Sequence, residues 1–278
     1  MGCNKRSGHK KKSKITVDDT LPICSTNQPT HFPQKENDLK TLVTFLLDRT
    51  GSMDAIKQAT IESFNAYIVE LKKADDMDFT LVQFDSVSIE KTCHNVAVKD
   101  APLLSDGNYQ PRASTPLIDA AFKTIKAVEE ALTKRDDKPQ VVICIQTDGE
   151  ENCSREHSWD ELNALIKEKI ALGWQFNFMG ASIDAYSQGN KMGISAHATV
   201  SYDSHDEQAS LAAFRSNASN TSAFAAGARV NTSYTMEQRG RAKDAHIPKD
   251  LTDDPALTKQ PKAENKAKKQ QIVDDITL

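Results

Sequence analysis

The run FLLDRTGSM, residues 45–53, decides how the rest of the chain is read. An apolar segment ends on one carboxylate, Asp48, and two hydroxyl side chains, Thr50 and Ser52, follow at alternate positions. Near-continuous apolarity over 42–47 fits a strand buried on both faces, the usual state of central strands in parallel sheets. Asp48 then stands at the carboxyl end of that strand, and the turn behind it leads into a helix beginning near Asp54. Asp, Thr and Ser also favour helix starts, so a simple helix cap is the plainer reading of this stretch taken alone.

Working outward, β-rich runs recur at 78–84 (DFTLVQF), 87–98, 141–147 (VVICIQT), 174–181 (WQFNFMGA) and 196–202. Helical spacing lies between most of them. In 54–73, Ile56, Ala59, Phe64, Tyr67, Ile68 and Leu71 follow three- and four-residue steps; in 116–134, Leu117, Ala121, Ile125, Val128 and Leu132 do the same. Pro116 suits a first helical turn. A third helix covers 158–172 and ends at Gly173. A fourth covers 204–226, with Ser204 and Glu207 in capping-box spacing. Alternating strands and helices predict an α/β, doubly wound, mostly parallel central sheet with helices on both faces. Only Asp85 and Ser86 separate 78–84 from 87–98, which predicts a hairpin and one antiparallel edge strand.

Composition sets the limits. The 278 residues are 38% hydrophobic and 27% charged, and no apolar run reaches membrane-spanning length. The five cysteines, Cys3, Cys24, Cys93, Cys144 and Cys153, show no paired metal spacing, which fits a reducing, intracellular setting. The opening MGCNKRS misses a myristoylation signal because Arg6 stands where Ser or Thr is needed. Residues 1–37 read as a basic, polar tail and 237–278 as a charged tail, leaving one domain over 38–236. Six basic residues in 1–14, and eight basic with seven acidic in 241–278, leave 21 basic and 32 acidic side chains between them, about −11. A body this acidic argues against a nucleic-acid face on the core domain. The tails contain ITVDDTL (15–21), LTDDPALT (251–258) and IVDDITL (272–278). Chance accounts for such likeness in a chain rich in Asp and Lys; the alternative is a repeated short docking motif.

In open α/β sheets, ligands sit beyond the carboxyl ends of the strands. Two further segments supply oxygen at that edge: STPLIDA (114–120), with Thr115 just before a helix, and TDGEEN (147–152), with Asp148 just after a strand. Two carboxylates and three hydroxyls from three loops suit a hard divalent cation such as Mg²⁺, and Mn²⁺ accepts the same donors. So little charge leaves a coordination position for water or an incoming carboxylate.

On these residues the chain resembles the von Willebrand factor A (VWA) domains that carry a metal-ion-dependent adhesion site. The family's Asp-x-Ser-x-Ser corresponds to Asp48, Thr50 and Ser52, its separate Thr to Thr115, and its Asp-Gly to Asp148-Gly149. Thr50 departs from the pattern but keeps the hydroxyl. The resemblance spans about 40–235, and GWQFNFMGASIDA makes it most similar to the stand-alone intracellular VWA proteins of bacteria and phages. It implies a non-enzymatic module that binds an acidic residue of a protein partner at an open Mg²⁺ site, in the cytoplasm or associated with a virion.

Other residues have plainer readings. Arg49, Glu150 and Glu151 read as solvated rim charge, Asp119 as a surface acid, and Ser114 as a cap or a support to the site. The histidines, His157 among them, lack zinc spacing. A structural role in a phage or bacterial assembly is the alternative function. A metal-dependent phosphohydrolase of the haloacid-dehalogenase type needs a second Asp two residues after the nucleophile, where this chain has Thr50.

Overall fold

The computed structural model describes Met1 and residues 40–74 and 76–252; everything below lies within the compact unit Asn37–Leu278. The strand expected from the opening stretch is β1, Thr41–Asp48, buried at every position. β2 (Met77–Phe84) and β4 (Gln140–Thr147) flank it in parallel. β3 (Ile89–Ala97) pairs antiparallel with β2, and β5 (Gln175–Ala181) and β6 (Thr199–Tyr202) extend the sheet in parallel beyond β4. The order is β3-β2-β1-β4-β5-β6. It reverses at β1, where chain connections leave in both directions, so a crevice opens at the carboxyl ends of β1 and β4.

The helices α1 (Lys57–Leu71), α2 (Leu117–Thr133), α3 (Trp159–Ala171), α4 (Ala185–Met192) and α5 (Glu207–Ala225) cover the sheet. Alternation along β1 divides the core. Val43, Phe45 and Leu47 face α1 and α5 with Phe64, Tyr67 and Phe214, whereas Leu42 and Leu46 face α2 and α3 with Ile125 and Ile166. Phe45 centres the first layer, with ring centroids 5.3 Å from Phe64 and 4.9 Å from Tyr67, both edge-on. Such contacts add about 1 kcal/mol beyond area burial. The sheet is thus anchored from both sides along the strand that delivers Asp48.

Several local expectations change. The helix expected from Asp54 begins as a 3-10 turn over Gly51–Ile56, and α1 proper starts at Lys57. Residues 196–198 are a 3-10 turn, leaving β6 only Thr199–Tyr202. α5 is capped by Asp206, whose carboxylate accepts from the Ala209 amide at 2.7 Å, because the Ser204 hydroxyl is taken by Ser182 at 2.8 Å. Helix α4 has little apolar periodicity and no clear signal in sequence; its Gly189 lies where a Cβ would come within 2.8 Å of Thr199 Oγ1.

Packed chain continues past residue 236, through α6 (Met236–Arg241) and α7 (Lys249–Thr252). Arg239 is fully buried, donates to the carbonyls of Ala196 and His197 at 2.9 and 3.1 Å and to Tyr186, and lies 3.6 Å from the Asp244 carboxylate. A charged segment reads as a tail unless the partners that neutralise it are known. The acidic-apolar stretches at 15–21 and 272–278 lie outside the described residues, as does most of 251–258.

Candidate metal centre

Three loops meet beyond the ends of β1 and β4. The loop after β1 is tied to the β2 end by the Arg49 amide on the Phe84 carbonyl (2.9 Å). It is tied to the 109–116 loop by the Gly51 amide on Ala113 (3.0 Å) and the Arg112 amide on Arg49 (2.9 Å). The 147–154 loop joins through Asn152, whose side chain accepts from the Thr115 amide (3.0 Å) while its own amide donates to the Thr115 carbonyl (3.1 Å). Gly51 is held against the Ala113 carbonyl, which a Cβ would approach to 3.2 Å.

All five residues singled out in the sequence come together. Thr115 Oγ1 lies 3.2 Å from Thr50 Oγ1, which lies 3.2 Å from Ser52 Oγ, which donates to Asp148 Oδ1 at 2.7 Å. Asp48 stands behind them, accepting from the Thr50 amide at 2.6 Å on one oxygen and from the Thr147 hydroxyl at 2.5 Å on the other. Asp48, Thr50 and Thr115 are buried, Asp148 is half-buried and Ser52 is exposed. The cluster therefore opens to solvent on the Ser52–Asp148 side. Gly149 completes the cradle: a Cβ there would sit 3.3 Å from Thr115 Oγ1 and 3.6 Å from Ser52 Oγ.

The electrostatics fit a cation. Burial pushes the Asp48 carboxyl up to about 7, against hydrogen bonds from Thr147 and Thr50. Burial also raises Asp148, against the Ser52 hydroxyl. Among the described residues neither carboxylate has an ion-pair partner. Arg49, next to Asp48 in sequence, turns away to Asp85 and Glu90. Two desolvated acids without a counter-charge, backed by hydroxyl oxygens alone, are a donor set suited to a hard divalent cation. No group of three or more His, Cys, Asp or Glu among the described residues could hold a metal ion, so a cation at this centre must draw on hydroxyls. Asp48, Thr50, Ser52, Thr115 and Asp148 would hold it, directly or through water.

Four supporting residues escaped the sequence reading. Thr147 orients Asp48 and accepts from the Gly149 amide at 3.1 Å. Tyr109, fully buried, donates to the Asp48 backbone carbonyl at 2.7 Å and fixes the strand end. Asp85 and Arg112 form, with Arg49, a charge cluster beside the site in which Asp85 and Arg49 are buried and Arg112 is exposed: Asp85 Oδ2 lies 2.9 Å from Arg49 Nε and 2.9 Å from Arg112 Nε. Thr147 stood one residue before the noted Asp148 and was legible as the last strand position; the others come from distant segments.

The rim residues correct the plainer readings. Arg49 is buried, not solvated. Glu151 accepts from the amides of Ile118, Cys153 and Ser154, so it ties the loop to the start of α2. Asp119 is buried and accepts from the amides of Arg155, Glu156 and His157. His157 stacks on Phe122 with centroids 3.6 Å apart. Ser114 caps no helix; its amide donates to Ser86 Oγ at 3.1 Å. Glu150 is exposed, as expected.

No family model and no curated protein matches the chain. Solved structures do. The PilB minor pilin from Streptococcus sanguinis superposes with a TM-score of 0.51 at 14% identity, over 68% of this chain and 63% of that one. The pilus adhesin SpaC from Lactobacillus rhamnosus GG gives 0.51 at 12%, over 69% and 30%. A von Willebrand factor type A structure from Catenulispora acidiphila gives 0.47 at 13%, over 66% and 43%. The chain spans less than two thirds of the length of each. With its sheet order, single antiparallel edge strand and two helical layers, the chain has an α/β fold that it shares with the PilB and SpaC structures.

Proposed function

We propose that the chain is a Mg²⁺-dependent protein-interaction module whose metal site accepts a carboxylate from a protein partner. The observation that carries this reading is the convergence of Asp48, Thr50, Ser52, Thr115 and Asp148 on one point, closed behind by buried Asp48 and open at Ser52 and Asp148. Two carboxylates neutralise a divalent cation only on paper. Hydroxyl ligands add no charge, so the cation remains a good acceptor for a third carboxylate arriving from solvent.

The reading is non-enzymatic. What supports it is that Asp48 is buried behind the hydroxyls and that Arg49 is committed to Asp85 and Glu90. The reading places the module inside a bacterial or infected cell, and Mn²⁺ would occupy the same donors. No helix of the described residues is long and apolar enough to cross a membrane.

Affinity capture from the native host, with wild-type chain and Asp48→Ala in Mg²⁺ and in EDTA, tests the reading. Asp48→Ala is expected to lose metal binding and partner capture together while the circular dichroism spectrum stays native. Capture that survives both the variant and EDTA would sink the proposal.

A further inference from the structure

A cavity of about 500 Å³ opens between α2 and the β1–β2–β3 part of the sheet, away from the metal centre. Leu42, on its wall, precedes Asp48 by six residues, roughly 20 Å along a strand. The cavity exists because α2 packs over β1 and β2, where Ile125 and Val128 meet Leu42 and Val82, and leaves the edge strand β3 beyond its flank. Ile89 of β3 and Ala127 and Ala131 of α2 are therefore only part-buried, and with Leu42, Val82 and Val128 they make the lining more apolar than polar. Lys123 and Ala131, both on the wall, stand eight positions apart on α2, about 12 Å along its axis. The volume falls within the range of small-molecule sites, about 300–1,000 Å³.

The mouth is basic. Lys91, Lys123, Lys134 and Arg135 line it against one acid, Glu130. Lys123, Lys134 and Arg135 are taken up by Glu156, Glu130 and Asp137 at 2.6, 2.7 and 2.7 Å, but Lys91 makes no ion pair among the described residues. Beside it, His94 is held below its ordinary 6.5, by burial first and then by the Lys91 charge, so its ring is neutral at neutral pH. One uncommitted ammonium over an apolar groove suits one negative charge on an apolar body. An alkyl chain fits such walls better than a peptide, whose amides would leave water without regaining partners from apolar side chains.

We propose that this cavity binds a straight-chain aliphatic carboxylate, a free fatty acid of medium length. Its chain lies along α2 over Leu42, Val82 and Val128, and its carboxylate meets Lys91 at the mouth, with the neutral His94 ring beside it. Burial of the chain supplies most of the affinity, and Lys91 selects the sign of the head group. The acid needs no cation here, so this site is independent of the metal centre.

The test uses the full chain in EDTA, titrated by calorimetry with decanoate and with decylamine below their micellar concentrations. Decanoate is expected to bind more tightly than decylamine, which carries the same chain and the opposite charge. Lys91→Ala should weaken decanoate about fivefold, the upper end for an exposed ion pair, and Lys91→Arg should restore it. Ala131→Trp, which fills the groove from a part-exposed helix position, should abolish binding while the circular dichroism spectrum stays native; if that variant unfolds, the two Lys91 variants, at an exposed position, decide alone. Absence of binding, decylamine bound as tightly as decanoate, or an affinity indifferent to Lys91→Ala would each overturn the proposal. Binding that appears only when Mg²⁺ replaces EDTA would place the acid at the metal centre and overturn it too. So would a dimer in light scattering that Ala131→Trp dissociates, which would put a second copy of the chain on this face.

Discussion

Thr147 offers the sharpest test of how the proposed metal centre is built. Its hydroxyl donates to Asp48 Oδ2 at 2.5 Å inside the fold, where both residues are fully buried. Thr147→Val keeps the shape and removes the donor. The bond favours the ionised carboxylate, and its loss lets burial, the largest influence on Asp48, raise that group further above 7. A hydrogen bond to a charged group contributes about 1.5–3 kcal/mol, which corresponds to roughly 10- to 150-fold in an equilibrium constant. Residues that orient metal ligands typically cost 10- to 100-fold in affinity when removed. Both routes lead to the same expectation: Mg²⁺ binding by calorimetry, or Mn²⁺ binding by electron paramagnetic resonance, weakens about 10- to 100-fold at neutral pH. Thr147→Ser, which restores the hydroxyl, should stay within about threefold of wild type. A Thr147→Val protein with native circular dichroism and metal affinity within threefold of wild type would refute the argument that Asp48 depends on this donor.

Three other expectations follow from the same geometry. Gly149→Ala puts a Cβ 3.3 Å from Thr115 Oγ1; displacing that hydroxyl costs about 1–2 kcal/mol at the site, so Mg²⁺ affinity should drop about tenfold in calorimetry. Asp85→Asn removes the acid between Arg49 and Arg112 and should lower unfolding stability by about 3 kcal/mol, read from urea midpoints. Burial alone would raise the Asp85 carboxyl, but the Ser88 amide, Arg112, the Val87 amide and the charge of Arg49 outweigh it and hold it below its ordinary 3.8. A group depressed on folding stabilises above its unfolded value and loses that contribution as pH falls through the folded one. The wild-type advantage over Asp85→Asn should thus be constant from pH 7 to 5 and shrink below about pH 4. Arg239→Ala strips a fully buried guanidinium from Asp244, Tyr186 and the carbonyls of Ala196, His197 and Thr199; thermal unfolding should show a loss of about 3–5 kcal/mol, whereas a loss below about 0.5 kcal/mol, as at a surface position, would return this segment to the tail.

The sequence by itself determined the α/β class, the hairpin that makes β3 an antiparallel edge, and the five oxygen-bearing positions of the site. Those features are local. Period-two and period-3.6 patterns follow from which side chains share a face, and a metal loop must carry its hydroxyls and acids on consecutive short segments at strand ends. What only the tertiary structure decided is where isolated charges and hydroxyls go. Arg49, Asp119 and Glu151 read as surface residues because a charge is normally solvated, yet each is held by partners between 33 and 41 residues away. Arg239 looked like part of a charged tail for the same reason. Ser204 lost its cap to Asp206 because Ser182, 22 positions earlier, claims its hydroxyl. The opening stretch had a helix cap as its plainer reading until the fold brought Thr115 and Asp148 to the same point as Asp48. Sequence spacing records which atoms one turn or strand can present; the partners that neutralise a buried charge come from other strands, and their distance in space is set only when the sheet closes.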